Sequence, residues 1–196
     1  MQKLANLRPA LKSLGDDISL TRWVKLPGRH KSTRKTAPMP EDATGTRFPS
    51  RVLRVSEMSS LLVSGHLNIK IGRDVRKGHF RGYWIYTLSL EERKTCPRTC
   101  QHWRTCYGNA MPLAKRIDHT DPEFLPTLEA EIAMLCAKKK GVLVRLHALG
   151  DFFATHYVDF WSQMLAKFPN LAIYGYTARL SGTPIGWMVH EMKKIS

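Results

Sequence analysis

The sequence predicts an α/β domain of parallel βαβ units, a partial (β/α) barrel, preceded by a basic N-terminal arm. Three observations predict this. From Tyr83 onward, runs rich in aromatic and β-branched residues alternate with segments whose apolar residues recur at helical spacing. That alternation is what parallel strands joined by crossover helices look like in sequence. Residues 22–47 show neither period and carry Arg22, Lys25, Arg29, Lys31, Arg34, Lys35 and Arg47 among Pro27, Pro38 and Pro40. Residues 1–55 are therefore read as a weakly structured basic arm, and residues 56–196 as the α/β domain.

The elements follow in chain order. Ser56 to Ile71 is apolar enough for a short helix and then an extended segment. Tyr83–Leu90 (YWIYTLSL) reads as the first strand. A loop bearing cysteines spans residues 96–106. A helix is expected from Glu123, with Asp121 as its cap, Pro122 at the first position and Phe124, Leu128, Ile132 and Leu135 as its apolar stripe. Lys138, Lys139 and Lys140 suit its negative end, and Gly141 stops it. Val142–Leu149 is the second strand. A helix from about His156 to Lys167 carries Val158, Trp161, Met164 and Leu165 inward. Leu171–Ala178 is the third strand, and Thr183–Pro184 opens a last helix. Three βα units are too few to close a barrel, so an incomplete one is expected. Its open edge calls for cover by the N-terminal segment or a second chain, unless the gene product is truncated.

Composition narrows the function. Thirty-one Lys and Arg against sixteen Asp and Glu give a net charge of +15, and the pI is near 10.0. A fold does not need that surplus, so it points to an anionic partner, with nucleic acid or another polyanion on the basic arm as the expectation. No apolar run reaches the roughly 18 residues of a membrane span, and the N-terminus has no secretory apolar core. A cytoplasmic protein without a membrane partner is expected.

Cys96, Cys100 and Cys106 fall within eleven residues, spaced by three and then five. Clustered thiols in a reducing compartment point to metal rather than disulfides. Thiolates suit both iron–sulfur clusters and zinc. A [4Fe–4S] cluster needs only these three when one iron is left open. Zinc needs a fourth ligand, for which His102 and His119 are the candidates. Cys136 lies in the first long helix and reads as a small core residue.

The second strand ends at Gly150–Asp151. Its even positions are apolar or small, while Arg145, His147 and Asp151 share the odd face with Leu143 and Leu149. Polar side chains on a strand otherwise fit for burial predict a functional lumen facing the cysteine rim. Arg145 and His147 are its candidate catalytic residues.

Strand, three-cysteine loop, helix, then a strand ending in Gly-acid resembles the opening of a radical S-adenosylmethionine enzyme. Cys96 and Cys100 keep that superfamily's first spacing. Five residues rather than two precede Cys106, and Leu149–Gly150–Asp151 stands where the superfamily has a Gly-Gly-Glu motif. The runs TCPRTCQHWRTCYGNAM, RLHALGDFFATHYVDFW and YGYTAR resemble the phage gene product 88 family. The radical-enzyme resemblance implies three thiolates on a [4Fe–4S] cluster whose open iron chelates S-adenosylmethionine. It further implies that Gly150 lets the chain's backbone approach that cofactor closely and that Asp151 accepts from its amino group. Thr177 and Arg179 would contact its ribose or carboxylate. Two other readings stand beside this one: a non-catalytic nucleic-acid-binding phage protein with structural zinc, and a truncated, inactive remnant.

Overall fold

The computed structural model describes residues 23–24, 39–68 and 70–193; most of the predicted arm lies outside them. The described chain forms β1 (Trp23–Val24), β2 (Val52–Leu53), β3 (Val63–Ser64), β4 (Trp84–Ser89), β5 (Arg116–Ile117), α1 (Phe124–Lys138), β6 (Val142–Leu149), α2 (Thr155–Lys167), β7 (Leu171–Gly175) and α3 (Pro184–Met192). Five strands make one sheet in the order β1-β7-β6-β4-β3. The centre, β4-β6-β7, is parallel, as the alternating pattern requires. The β7 edge is covered by β1 from the N-terminal segment, in parallel register, and β3 closes the β4 edge antiparallel. The sheet does not close on itself.

The three described α-helices all pack on one face. Phe124, Leu128 and Ile132 of α1, Val158, Trp161 and Leu165 of α2, and Val189 and Met192 of α3 share one core with Tyr86, Leu88, Val142, Val144, Leu146, Leu171 and Ile173. The opposite face is covered in part by the segment before β4, whose Val75 and Phe80 meet Ile85, Leu143, Ala172 and Tyr174. Successive residues of β4 and β6 thus serve different cores, which is the strand's period of two at work. Each of these large side chains contributes about 1.5–3 kcal/mol on burial.

Local differences from the sequence-based expectation have tertiary causes. Ser56–Ile71 forms no α-helix among the described residues, only 3-10 turns at Val55–Glu57 and Gly65–Leu67 around β3. The N–H groups of Leu61 and Leu62, which a helix would use internally, donate to the Glu131 carboxylate on α1 at 2.7 and 3.0 Å. Helix α1 starts at Phe124, one residue later than expected, with Glu123 and not Asp121 at the cap position. Asp121 instead makes a turn, accepting from Glu123 N–H at 3.0 Å and reaching across to Val55 N–H at 2.9 Å. Asn170, just before β7, donates to the Cys136 and Lys139 carbonyls and so satisfies orphan acceptors at the end of α1. At α3, Thr183 accepts from Gly186 N–H at 3.2 Å and Pro184 takes the first turn, as the sequence predicts.

Candidate functional site

The cysteines sit on an excursion that leaves the sheet after β4 and runs to β5, which pairs in parallel with β2 in a separate two-stranded sheet. Leu90 pairs with Ile117 in a parallel bridge, so the excursion is pinched shut at its base. Residues 96–106 contain no helix or strand. What holds the excursion is a set of buried polar anchors beneath it.

The first anchor is Glu92–Arg116. Both side chains are buried, and Arg116 Nε and Nη2 meet the two Glu92 oxygens at 2.7 and 3.0 Å. The remaining guanidinium donors go to the carbonyls of Gly108, Met111 and Ala114. Thr46 Oγ1 adds a 2.6 Å bond to Glu92. Burial alone would raise the Glu92 pKa, but the Arg116 and Thr46 hydrogen bonds hold it below the ordinary carboxylate range. Gly108 is required here, because a Cβ would lie 2.6 Å from Glu92 Oε1 and 2.7 Å from its Cδ.

The second anchor is Thr95, fully buried next to Cys96. Its hydroxyl donates to the Glu91 carbonyl at 2.7 Å and accepts from Asp151 N–H at 3.2 Å. Its carbonyl accepts from Arg179 Nη2 at 2.7 Å, and Arg179 Nε donates to the Phe152 carbonyl. Asp151 in turn accepts from Phe152 N–H and Thr177 Oγ1 on one oxygen and from Ala178 N–H on the other, all within 2.7–2.8 Å. Strand β7 ends at Gly175 rather than at 178 because Thr177 and Ala178 turn toward Asp151 instead of continuing the ladder. Burial raises the Asp151 pKa, partly offset by these hydrogen bonds and by Arg179.

Gly150, Asp151, Thr177 and Arg179 are thus brought together around Thr95. Their polar atoms, however, are committed to one another and to the backbone around Thr95. Gly150 has φ +83°, and the space a Cβ would take is filled by Leu90 Cβ and Thr95 Oγ1, each at 2.7 Å. This arrangement fits a clamp on the root of the cysteine loop. It does not fit the outward-facing polar groups that S-adenosylmethionine would require.

Arg145 and His147 do not share a lumen. Arg145 is half-buried and lies near Tyr174, whose partners form the core opposite the helices. Beyond it the pairing shifts: two steps on β4, Thr87 to Ser89, stand against four on β6, Arg145 to Leu149. His147 emerges on the helix side, with Nε2 3.0 Å from Tyr157 Oη and its ring edge-on to Phe152 at 4.9 Å. Simple alternation fails because a shifted ladder no longer keeps odd residues on one face.

Burial lowers the His147 pKa to about 3. Its unfolded value is about 6.5, so below that pH the unfolded chain binds the extra proton and stability falls. The expected loss is about 1.4 kcal/mol per pH unit on going below about 6.5, with no contribution above it. Urea midpoints at pH 7 and pH 5 measure this. His147→Gln, which keeps a polar partner for Tyr157 without titrating, should flatten the slope; an unchanged slope would assign it to other groups.

Cys96, Cys100 and Cys106 are each partly exposed, and Cys136 is buried in the main core as expected. Burial pushes the Cys96 thiol up to about 12; the Arg93 N–H opposes this, while Asp151, Cys100 and Cys106 add to it. Cys106 is raised by burial too, against the Gly108 N–H, with Glu92 and Cys100 adding to the rise. The three sulfurs therefore lie in one electrostatic neighbourhood, with backbone donors beside two of them. Among the described residues, no three Cys, His, Asp or Glu side chains already form a metal cage. His102 is exposed. His119 packs edge-on against Phe153 at 4.7 Å, with a buried Nδ1 that has no hydrogen-bond partner.

The anchors Glu92–Arg116 and Thr95 were missed in the sequence. Arg116 lies 24 residues from Glu92, beyond any local spacing rule. The one available signal was charge in an apolar setting, Glu-Glu-Arg directly after a strand and Arg beside Ile117.

No curated protein and no solved structure matches this chain. Residues 61–185, which span the cysteine excursion, both anchors and the central strands β4, β6 and β7, match the family model described as Gene product 88, and the chain belongs to that family.

Proposed function

We propose that this protein binds a [4Fe–4S] cluster through Cys96, Cys100 and Cys106, with the fourth iron left open at the rim of the sheet. One observation carries the reading. Three thiols share a single excursion, pinched at its base and anchored from below, at the C-terminal ends of parallel strands, where α/β folds place their sites. The donor chemistry fits, since thiolates are the ligands such clusters take, and hydrogen bonds to the sulfurs tune them. The Arg93 and Gly108 N–H groups beside Cys96 and Cys106 are positioned for that role. With no ladder through residues 96–106, the loop can draw its sulfurs together while its two ends stay fixed.

A bound cluster would supply one-electron transfer and a Lewis-acidic iron. The chain's own part is to hold that iron at a defined place. Thr95, clamped by Asp151 and Arg179, fixes Cys96, and Arg116 fixes the stretch after Cys106 through the Gly108 and Met111 carbonyls.

Anaerobic reconstitution with iron and sulfide tests this, followed by assay of iron, sulfide and zinc. About four irons and four sulfides per chain are expected, with broad visible absorbance. Alanine at any of the three cysteines should abolish both, whereas Cys136→Ala and His102→Ala should leave them intact. Stoichiometric zinc without sulfide, weakened by His119→Ala or His102→Ala, would overturn the cluster in favour of a structural zinc site.

A further inference from the structure

A second charged feature lies at the other end of β4, away from the cysteine excursion. Residues 73–85 form a hairpin-like turn: Val75 N–H donates to the Tyr83 carbonyl, Gly82 N–H to the Val75 carbonyl, and Ile85 N–H to the Arg73 carbonyl. Val75 and Phe80 fasten it to the sheet. Its outer surface exposes Arg73, Arg76, Lys77 and Arg81, against Asp74, which is engaged by Arg73 at 3.0 Å. Arg73, Arg76 and Arg81 line an open groove of about 360 Å³ with Asp74, Val75 and Gly82.

The end of α1 extends this surface. A Cβ on Gly82 would lie 3.7 Å from Lys140 Cδ, which places that lysine at the groove. Trp84, the first residue of β4, is shared between two cations: Lys139 Nζ lies 3.6 Å from its ring centroid and Arg73 Cζ 5.2 Å. Such contacts restrain long cationic side chains that would otherwise be mobile. Lysines at the end of α1 are accounted for by the helix dipole. The arginines of the hairpin are not, and no carboxylate besides Asp74 occurs between residues 70 and 84.

We propose that this hairpin, with Lys139 and Lys140, is a phosphate-backbone binding surface for nucleic acid. Three guanidinium groups around a groove suit phosphodiesters, because each offers a planar fork to two oxygens. A membrane surface is the poorer match: residues 70–84 include none of the exposed large apolar side chains of the described structure that could enter a bilayer. The Trp84 ring is occupied by cations, so it orders the charges and does not stack bases. Recognition should therefore be independent of sequence and strongly dependent on salt. The surface stands independently of the metal proposal and of the N-terminal basic segment.

The test is fluorescence anisotropy of the full chain with a labelled 30-base oligonucleotide, single-stranded and duplex, across a salt series. The double variant Arg76→Ala/Arg81→Ala removes two exposed charges that the fold does not use. Its affinity should fall by about tenfold or more at moderate salt. The slope of log affinity against log salt for the duplex should become shallower by about 1.8, at about 0.9 for each phosphate no longer neutralised. Circular dichroism matching the parent shows that the fold is kept; should it not match, Arg76→Gln alone, read by the same slope, serves instead. Unchanged affinity and slope would overturn the proposal and hand binding to residues 22–47. So would binding to phosphatidylserine vesicles with none to either oligonucleotide.

Discussion

Replacing Arg116 with alanine is expected to lower stability by about 3–5 kcal/mol, the cost of stranding a buried carboxylate. The Glu92 and Arg116 side chains are 1% and 0% exposed, so water cannot take over from the missing partner. Three backbone carbonyls, of Gly108, Met111 and Ala114, lose their donor at the same time. Arg116→Lys should rescue little, because one ammonium cannot reproduce the guanidinium's fork. Glu92 has a lowered folded pKa, so its contribution is complete above the ordinary glutamate value and disappears as pH falls through the folded one. Chemical denaturation at neutral pH measures the effect. A loss under about 1 kcal/mol would mean that the pair is solvated and does not anchor the excursion.

Asp151→Ala is expected to be comparably damaging, at about 3 kcal/mol or more, since the N–H groups of Phe152 and Ala178 and the Thr177 hydroxyl all lose their acceptor. Asp151→Asn separates charge from geometry. It keeps the size and one oxygen, but its amide NH₂ cannot accept from the second backbone donor, so about 1–3 kcal/mol should be lost. The clamp also predicts where the damage appears. Amide hydrogen exchange should rise at Thr95 and Cys96 and at residues 177–179, with little change in α2 behind the sheet. Loss of stability with exchange unchanged around Thr95 would show that Asp151 supports β7 alone and does not hold the cysteine loop.

The parallel βαβ order is legible along the chain, because the period of apolar residues switches visibly between strand and helix. β6 occurs where its apolar run stands, and α2 begins one residue before the expected start. Gly150–Asp151 and Thr177–Arg179 gather beneath the cysteine loop because they lie just past the ends of β6 and β7, whose parallel ladder aligns those ends. Cys136 was legible as core from its place beside the α1 stripe. What those residues do follows from packing. Asp151 and Arg179 face inward because unpaired backbone donors and acceptors beside Thr95 need partners once water is excluded. His147 leaves the Arg145 face because the β4–β6 register shifts, and register depends on the neighbouring strand. The Glu92–Arg116 anchor joins positions that only the closed excursion makes adjacent. The Trp84 ring, with Arg73 and Lys139 both against it, likewise joins the hairpin to the end of α1 across more than fifty residues of chain. Local periodicity records which face of an element is apolar. It does not record which distant partner will satisfy a buried charge, because that choice is made only when the elements pack.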